Sequence, residues 1–189
     1  MEKIILTDVD GVLLNWLDPF SDWCLERYGY KRIALHGRVE KQIAIPEDVC
    51  PIELGREFNR TGWIGDLPPL GDAVKYVRKM YEEHGIRFLV ISALGECRHA
   101  KRLRIQNLNE VFGAKVFTEV HCVKDSASKE VILERFEGTG MYWLEDSPAN
   151  AEMGGALGLS PVLFGDRKRR APVNVDSWRE LYHDVMGLS

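Results

Sequence analysis

The chain has 189 residues, of which 45% are hydrophobic, and its formal net charge is −4. This composition is ordinary for a globular protein and excludes a disordered chain, while the length favours one medium-sized domain with a small insertion. The charge argues against a long polyanionic partner such as duplex DNA, but a local site can still hold a small phosphorylated substrate. No apolar run approaches the ~20 residues that span a bilayer, and the apolar start is too short for a signal peptide, so we expect a cytoplasmic protein without a membrane span.

The four cysteines lie far apart and form no CxxC pair. We therefore expect reduced thiols, as is usual in the cytosol. The five histidines show no HxxxH spacing and do not cluster with the cysteines, so a zinc site is not expected.

The first predicted elements are a buried strand and a helix. Lys3–Thr7 is a short β-prone apolar run that ends in Asp-Val-Asp-Gly, as a strand buried on both faces would. Apolar residues at helical spacing predict a short helix over residues 19–28, which Gly29 ends. Residues 31–65 show no clean period and mix prolines and glycines with apolar residues, so we expect a compact, irregular insertion there.

The rest of the chain alternates between helical patterns and short apolar runs. The predicted helices cover residues 73–84, 96–112, 129–136, 147–157 and 177–185. The predicted strands cover residues 86–92, 115–118, 119–123, 140–144 and 161–164. Strands that alternate with helices indicate βαβ crossovers, so we predict an α/β fold with a mostly parallel sheet.

Polar residues suited to phosphate chemistry follow three of these strands. Asp8 and Asp10 follow the first strand, Ser92 ends the second, and Glu145-Asp146 follows the strand at 140–144. Ligands in such folds bind beyond the carboxyl ends of the strands, so these side chains are candidates for one site.

This order of motifs resembles the haloacid dehalogenase-like (HAD) phosphohydrolase superfamily over nearly the whole chain. The motifs are Asp8-Val-Asp-Gly-Val12, Ser92, a lysine before a helix, and Glu145-Asp146. The resemblance implies a three-layer, Rossmann-like fold. It also implies a catalytic core of residues 1–14 and 66–189, with a small helical cap of residues 15–65 inserted after the first strand.

The resemblance also assigns catalytic roles. Asp8 would attack phosphorus to give an aspartyl-phosphate, and Asp10 would act as general acid and then general base. Residues i and i+2 of a strand share a face, which lets both carboxyl groups approach one phosphoryl group. Ser92 and the backbone N–H groups from Ala93 onward would hold the phosphoryl oxygens. The lysine is Lys129 or Lys124, and helix-start logic favours Lys129.

A magnesium ion is expected because several carboxylates would otherwise repel an anionic substrate. The resemblance assigns its ligands to the side chains of Asp8 and Asp146 and to the backbone carbonyl of Asp10. Glu145 could act directly or through a water, and Asn150, one helical turn after Asp146, could orient such a water.

Within the superfamily, the layout looks like the 5'(3')-deoxyribonucleotidases, which suggests a nucleoside monophosphate as substrate. Trp16, Phe20, Phe58 and Trp63 could stack a nucleobase, or they could form the core of the cap itself. The chain departs from that group at Ser92-Ala-Leu-Gly and at Glu145-Asp146.

Other functions remain open at this point. The basic run at residues 167–170 suggests a polynucleotide 3'-phosphatase as an alternative. A phosphatase of another small metabolite and a binding module without activity are further alternatives. Four basic residues of the helix at 96–112 could line the entrance of the site, but we expect them to form a solvated face: Arg98, Lys101, Arg102 and Arg104. The sequence leaves the oligomeric state open.

Overall fold

The structure is a computed structural model that describes residues 3–34, 42–165 and 173–187. Within those residues, six strands and seven α-helices alternate along the chain. The strands are β1 (Lys3–Thr7), β2 (Ile86–Ala93), β3 (Phe117–Val123), β4 (Tyr142–Glu145), β5 (Ser160–Phe164) and β6 (Val173–Val175). The helices are α1 (Leu17–Tyr28), α2 (Pro51–Phe58), α3 (Ala73–His84), α4 (Arg98–Phe112), α5 (Glu130–Leu133), α6 (Pro148–Ala156) and α7 (Trp178–Met186). Among the described helices, none is both long and apolar enough to cross a membrane.

The strands form one sheet in the order β3-β2-β1-β4-β5-β6, and every pairing in it is parallel. Strand β1 lies in the middle, where Leu6 pairs with Leu89 of β2 and with Trp143 of β4. Its apolar residues are buried because helices cover both faces of a parallel sheet. The predicted α/β fold with a parallel sheet is therefore confirmed.

The two faces of the sheet carry separate buried clusters. The larger cluster includes Phe88 and Trp178 together with Phe20, Trp23 and Phe58 of α1 and α2, and the smaller one centres on Leu6 and Trp143. Helix α6 packs closely on β4, because a Cβ at Gly154 would lie 2.3 Å from Cδ1 of Trp143.

Several element boundaries differ from the sequence-based prediction. The two short strands predicted at 115–123 are one strand, β3, whose register shifts between Phe88 and Leu89 of its neighbour. The helix predicted at 129–136 is a short α-helix flanked by 3₁₀ turns at Ala127–Lys129 and Glu134–Phe136. Two elements were not predicted, β6 and α2, and α2 begins at a proline.

The expected insertion begins and ends at neighbouring residues. The Asn15 N–H donates to the Pro68 carbonyl at 2.9 Å, and the Leu70 N–H donates to the Leu13 carbonyl at 2.9 Å. Helices α1 and α2 and the 3₁₀ turn Gly62–Gly65 lie between these points. Their aromatic rings pack on one another, as in the 4.4 Å stack of Trp16 on Phe20.

Candidate active site

The carboxyl ends of β1, β2 and β4 bring the predicted site residues together. Asp8 directly follows β1, and its N–H donates to the carbonyl of Leu144 in β4 at 2.9 Å. Glu145 ends β4, and Ser92 is the penultimate residue of β2. Lys129 is the last residue of the 3₁₀ turn Ala127–Lys129, which follows β3.

Lys129 bridges two of these carboxylates. Its Nζ lies 3.0 Å from Oδ1 of Asp8 and 2.6 Å from Oε1 of Glu145, and its side chain is buried. Burial alone would lower the pKa of Lys129, but Asp8 and Glu145 outweigh it and raise the pKa, so Lys129 remains an ammonium. Lys124, the other lysine considered, is exposed.

Glu145 holds this lysine in place. Its Oε1 also accepts a 3.0 Å hydrogen bond from Nδ2 of Asn150, and its Oε2 accepts one of 3.2 Å from the Ser147 N–H. Burial, and then Asp8, raise the pKa of Glu145 above its usual range. Asn150, which the sequence analysis offered as a residue that could orient a water, therefore contacts the Glu145 carboxylate directly.

The carboxylates of Asp8, Glu145 and Asp146 form a cluster that could hold a metal ion. One oxygen of each lies within 4.8 Å of the others. Asp146 keeps some solvent access, but the surrounding protein desolvates its carboxyl, and this desolvation and Asp8 raise its pKa to about 7. Because hard cations prefer oxygen ligands and relieve such repulsion, this donor set fits Mg²⁺.

Gly11 lets the backbone come close to this cluster. A Cβ at Gly11 would lie 2.4 Å from Oδ2 of Asp146, and the residue has a φ of +76°. Both facts require glycine here. The close approach brings the Asp10–Gly11 backbone against the Asp146 carboxylate, which fits the expected use of the Asp10 carbonyl as a ligand.

Asp10 is held by an arginine that the sequence analysis placed in solvent. The guanidinium of Arg104 donates to Oδ1 of Asp10 at 2.6 Å and to Oδ2 at 3.1 Å. Burial raises the pKa of Asp10, and Arg104 acts in the opposite direction.

The prediction that Arg104 belongs to a solvated face was therefore wrong. Arg98 and Arg102 are exposed, but Arg104 is fully buried. The helical spacing could have shown this, because Arg104 lies four residues from both Ala100 and Leu108, which are also buried.

Ser92 presents a hydroxyl with no protein partner. The residue is fully buried, and among the described residues its Oγ makes no hydrogen bond. Such an orphaned group calls for a ligand or a water. The N–H groups that follow Ala93 were also expected to hold phosphoryl oxygens, but those of Leu94 and Gly95 donate to the Val123 carbonyl, and α4 begins only at Arg98.

A cavity of about 1270 Å³ is lined by Asp8, Lys129 and Asp146. We call these three residues, together with the buried Glu145 that contacts Lys129, the floor. The wall is the part of the cavity lining that comes from residues 15–42: Asn15, Trp16, Leu17, Asp18, Arg32 and Gln42. Arg32 is tied within the wall, because it pairs with Asp18 and donates to Oε1 of Gln42 at 3.2 Å. Ala93 also lines the cavity.

The expected base-stacking aromatics differ in their access to this cavity. Trp16 lines it, and its Nε1 donates to Oδ1 of Asn59 at 2.8 Å. Phe20 and Phe58 are fully buried behind Trp16 and are not exposed to a ligand, which contradicts their expected contact with substrate. Trp63 lines a neighbouring cavity of about 720 Å³. The basic run at 167–170 lies outside the described residues.

Sequence comparison finds one protein of unknown activity. No protein-family model matches the chain. An uncharacterised 32.4 kDa protein of Enterobacteria phage T4, from the Gp30–rIII intergenic region, is 28% identical over 178 residues. The match covers 90% of this chain but only 63% of the phage protein, so this chain spans less than two thirds of that relative's length.

Structural comparison finds close agreement in fold at low sequence identity. A HAD-superfamily hydrolase from Geobacter sulfurreducens has a TM-score of 0.63 at 13% identity, covering 99% of this chain and 96% of its own. The L-2-haloacid dehalogenase of Xanthobacter autotrophicus gives 0.64 at 11%, with complete coverage of both chains. The D,D-heptose 1,7-bisphosphate phosphatase of Burkholderia thailandensis gives 0.56 at 15%, covering 97% and 98%. The chain therefore has the fold of the HAD-superfamily hydrolases, which these neighbours use for more than one reaction.

Proposed function

We propose that this chain is a phosphomonoester hydrolase that requires Mg²⁺ and works through a phosphorylated Asp8. The main observation is that the Asp8 carboxylate is buried and held 3.0 Å from the Lys129 ammonium, and that Asp10 and Asp146 line the same cavity. The unpartnered hydroxyl of Ser92, next to the cavity-lining Ala93, supports binding of a phosphoryl oxygen.

The extra carboxylates favour phosphoryl transfer over dehalogenation. A halide leaves as a stable anion and needs neither a proton nor a metal ion. An alkoxide leaving from phosphorus needs a proton donor, and the charged phosphoryl group needs a cation among carboxylates. Asp10 and Asp146 suit these two tasks and have no evident use in displacing a halide.

In the first proposed step, an Asp8 carboxylate oxygen attacks phosphorus. The new bond joins this oxygen to phosphorus while the bond from phosphorus to the ester oxygen breaks. Asp10 gives its proton to the leaving oxygen, so an alcohol departs. The Lys129 ammonium and the Ser92 hydroxyl balance and orient the negative charge on the phosphoryl oxygens.

In the second proposed step, water replaces the alcohol. Asp10 is now a carboxylate, and it takes a proton from a water molecule. The oxygen of this water attacks the phosphorus of the aspartyl-phosphate at the same time. The bond between Asp8 and phosphorus breaks, inorganic phosphate leaves, and Asp8 is again a carboxylate. Glu145 keeps Lys129 beside Asp8 through both steps.

Asp8, Asp146 and the Asp10 carbonyl would hold the Mg²⁺. When bound, the ion would supply positive charge that stabilises the phosphoryl oxygens and allows the carboxylates to stay ionised near an anionic substrate.

We further propose a nucleoside monophosphate as the substrate and residues 15–65 as the cap over it. Trp16 supports this, because its ring is the predicted stacking residue that lines the cavity above the floor. Asn15 and Arg32 add polar groups that can contact a sugar or a base. A polynucleotide 3'-end is the second candidate, since about 1270 Å³ exceeds the usual volume for a small ligand.

The test is a phosphatase assay over a panel of substrates, with Mg²⁺ and with EDTA. The panel contains 5'- and 3'-nucleotides in ribo and deoxy forms, sugar phosphates, p-nitrophenyl phosphate and 3'-phosphorylated oligonucleotides. We expect Mg²⁺-dependent release of phosphate, with nucleotides as the best substrates. A preference for oligonucleotides that falls steeply with salt would support the second candidate instead.

Asp8→Asn is the decisive variant. We expect its turnover to fall on the order of 10³-fold or more, with an unchanged melting temperature. Asp48→Asn is the matched control, because Asp48 is exposed and lies outside the cavity. Turnover by Asp8→Asn at the wild-type rate would refute the proposed function.

A further inference from the structure

Arg104 carries a buried charge, and the free energy needed to bury it calls for an explanation. Its side chain is fully buried on α4, and its Nε has no hydrogen-bond partner among the described residues. Its two terminal nitrogens are satisfied by Asp10. Burying a guanidinium with an unmet donor costs free energy, and an apolar side chain of similar volume would commonly pack at least as well.

The geometry of the pair offers that explanation. Two parallel N–H···O bonds from a planar guanidinium fix both the direction and the plane of the carboxylate. One hydrogen bond, or a lysine ammonium, would leave the carboxylate free to rotate. The fork occupies one lone pair on each oxygen of Asp10, and it leaves the outer lone pairs free to accept a proton.

The helix that carries Arg104 is itself held firmly. A Cβ at Gly65 would lie 3.1 Å from Cδ2 of Leu103, so α4 is in close contact with the 3₁₀ turn at Gly62–Gly65. On the other side of Arg104, Nδ2 of Asn107 donates to the Leu67 carbonyl at 3.1 Å. Arg104 therefore projects from a fixed base.

We propose that Arg104 is a positioning residue that holds Asp10 as an oriented carboxylate for the second step of the reaction. This inference rests on the proposed function, in which Asp10 takes a proton from water while the bond from Asp8 to phosphorus breaks. The fork fixes the plane of the Asp10 carboxylate, so a free lone pair keeps one direction in which it can receive that proton. Formation of the aspartyl-phosphate depends on Asp8 and Lys129 and needs Arg104 much less when the leaving group is a good one.

The test separates the two steps with p-nitrophenyl phosphate, whose leaving group needs no proton. For this substrate kcat/KM reports formation of the aspartyl-phosphate, and kcat reports its hydrolysis once that step is slow. In Arg104→Met we expect kcat to fall about 10²-fold while kcat/KM changes little, so KM falls with kcat. We expect phosphorylated protein to accumulate during turnover and to be detected after acid quenching.

Arg102→Met is the matched control, because Arg102 is exposed on the same helix and is expected to leave both constants unchanged. Arg104→Lys keeps the positive charge but cannot form the two parallel hydrogen bonds to Asp10. This variant replaces Arg104→Met in the test if Arg104→Met does not fold. We expect it to show the same pattern with a smaller fall in kcat.

Two results would overturn the inference. One is a parallel fall in kcat and kcat/KM without accumulation of phosphorylated protein, as a merely structural role would give. The other is a crystal structure of Arg104→Met in which Asp10 keeps its side-chain torsion angles. The second result does not depend on activity, whereas a wild-type protein inactive on every phosphate would refute the proposed function instead.

Discussion

The floor and the wall of the cavity are built in different ways. Floor residues come from the ends of β1 and β4 and from the 3₁₀ turn at Ala127–Lys129, which lie far apart in the chain. They are held by buried charges such as the 2.6 Å contact between Lys129 and Glu145. Wall residues come from residues 15–42, and their contacts with one another, such as Arg32 with Asp18 and Gln42, are partly exposed. We infer that the floor determines the reaction and the wall determines the substrate.

The largest expected effect comes from removing the cation of the floor. Lys129→Met leaves the carboxylates of Asp8 and Glu145 buried without a counter-charge. We expect the free energy of unfolding to fall by about 3–5 kcal/mol and kcat to fall about 10²- to 10³-fold. Denaturant unfolding and steady-state kinetics provide the measurements.

Lys124→Met is the control for that variant, because Lys124 is exposed. Adding Glu145→Gln to Lys129→Met removes one of the two buried carboxylates that lack a counter-charge. We therefore expect the double variant to regain part of the stability but no activity. Wild-type stability in Lys129→Met would show that the floor is not locked in the way we describe.

A second test compares Gly11 and Gly29, two positions at which the backbone has a positive φ. Gly29→Ala meets no atom within 4 Å, whereas the new methyl in Gly11→Ala would overlap Oδ2 of Asp146. We expect Gly29→Ala to lower the free energy of unfolding by about 1 kcal/mol and Gly11→Ala by about 3 kcal/mol. Calorimetric titration with Mg²⁺ should show weaker binding only in Gly11→Ala, and equal affinity in both variants would contradict the assigned metal site.

The pH dependence of stability tests the crowding of charge in the floor. The pKa of Asp146 is about 7 in the folded protein and about 3.9 in an unfolded chain. Between these values the folded protein keeps a proton that the unfolded chain has lost, so stability falls as the pH rises. In EDTA we therefore expect the melting temperature to decrease from about pH 5 to about pH 8, because the pKa of Glu145, raised to about 8, extends the decrease beyond the pKa of Asp146.

Mg²⁺ should reduce this dependence, because a bound cation favours the ionised carboxylates. Asp146→Asn should reduce it in EDTA as well, while Asp48→Asn should retain it, and thermal melts across the pH range measure all three. A melting temperature in EDTA that rises over the same range in the wild-type protein would contradict the raised pKa.

The smallest expected effect lies in the wall. Trp16→Ala removes the ring proposed to stack on a base, so we expect KM for a nucleotide to rise about 10-fold with kcat for p-nitrophenyl phosphate nearly unchanged. Trp16→Phe keeps a ring against Phe20 and should give a smaller rise. Trp63→Ala tests the remaining predicted stacking residue, which lines the neighbouring cavity. Loss of activity towards both substrates in Trp16→Phe would show that the wall also shapes the reaction.

The fold class was predictable from sequence because most buried strands are short apolar runs and most helices show apolar residues at helical spacing. The convergence of Asp8, Ser92 and Asp146 followed from one rule about strand ends. The missed elements were local: β6 has only three residues, and α2 lies in a segment whose glycines and prolines mask its period.

Side-chain partners were less predictable than positions. Arg104 was assigned to solvent because of its charge, although its helical spacing from Ala100 and Leu108 indicates the buried face. The choice between Lys129 and Lys124 depends on which one reaches Asp8, and that distance has no counterpart in local sequence. Phe20 and Phe58 were grouped with Trp16 by residue type, but only packing shows which ring reaches the cavity.

The paired entry and exit of residues 15–65 have an evolutionary consequence. The backbone enters this segment at Leu13 and Asn15 and leaves it at Pro68 and Leu70, and each end hydrogen-bonds the other. Because the two ends meet at one junction, a segment of another length could be inserted there without altering strand order or the position of Asp8, provided that it also packs against α4 as the turn at Gly62–Gly65 does. One catalytic scaffold can thus be recruited to new metabolites by exchange of a cassette, and a chimera with a different insertion at this junction is the laboratory equivalent.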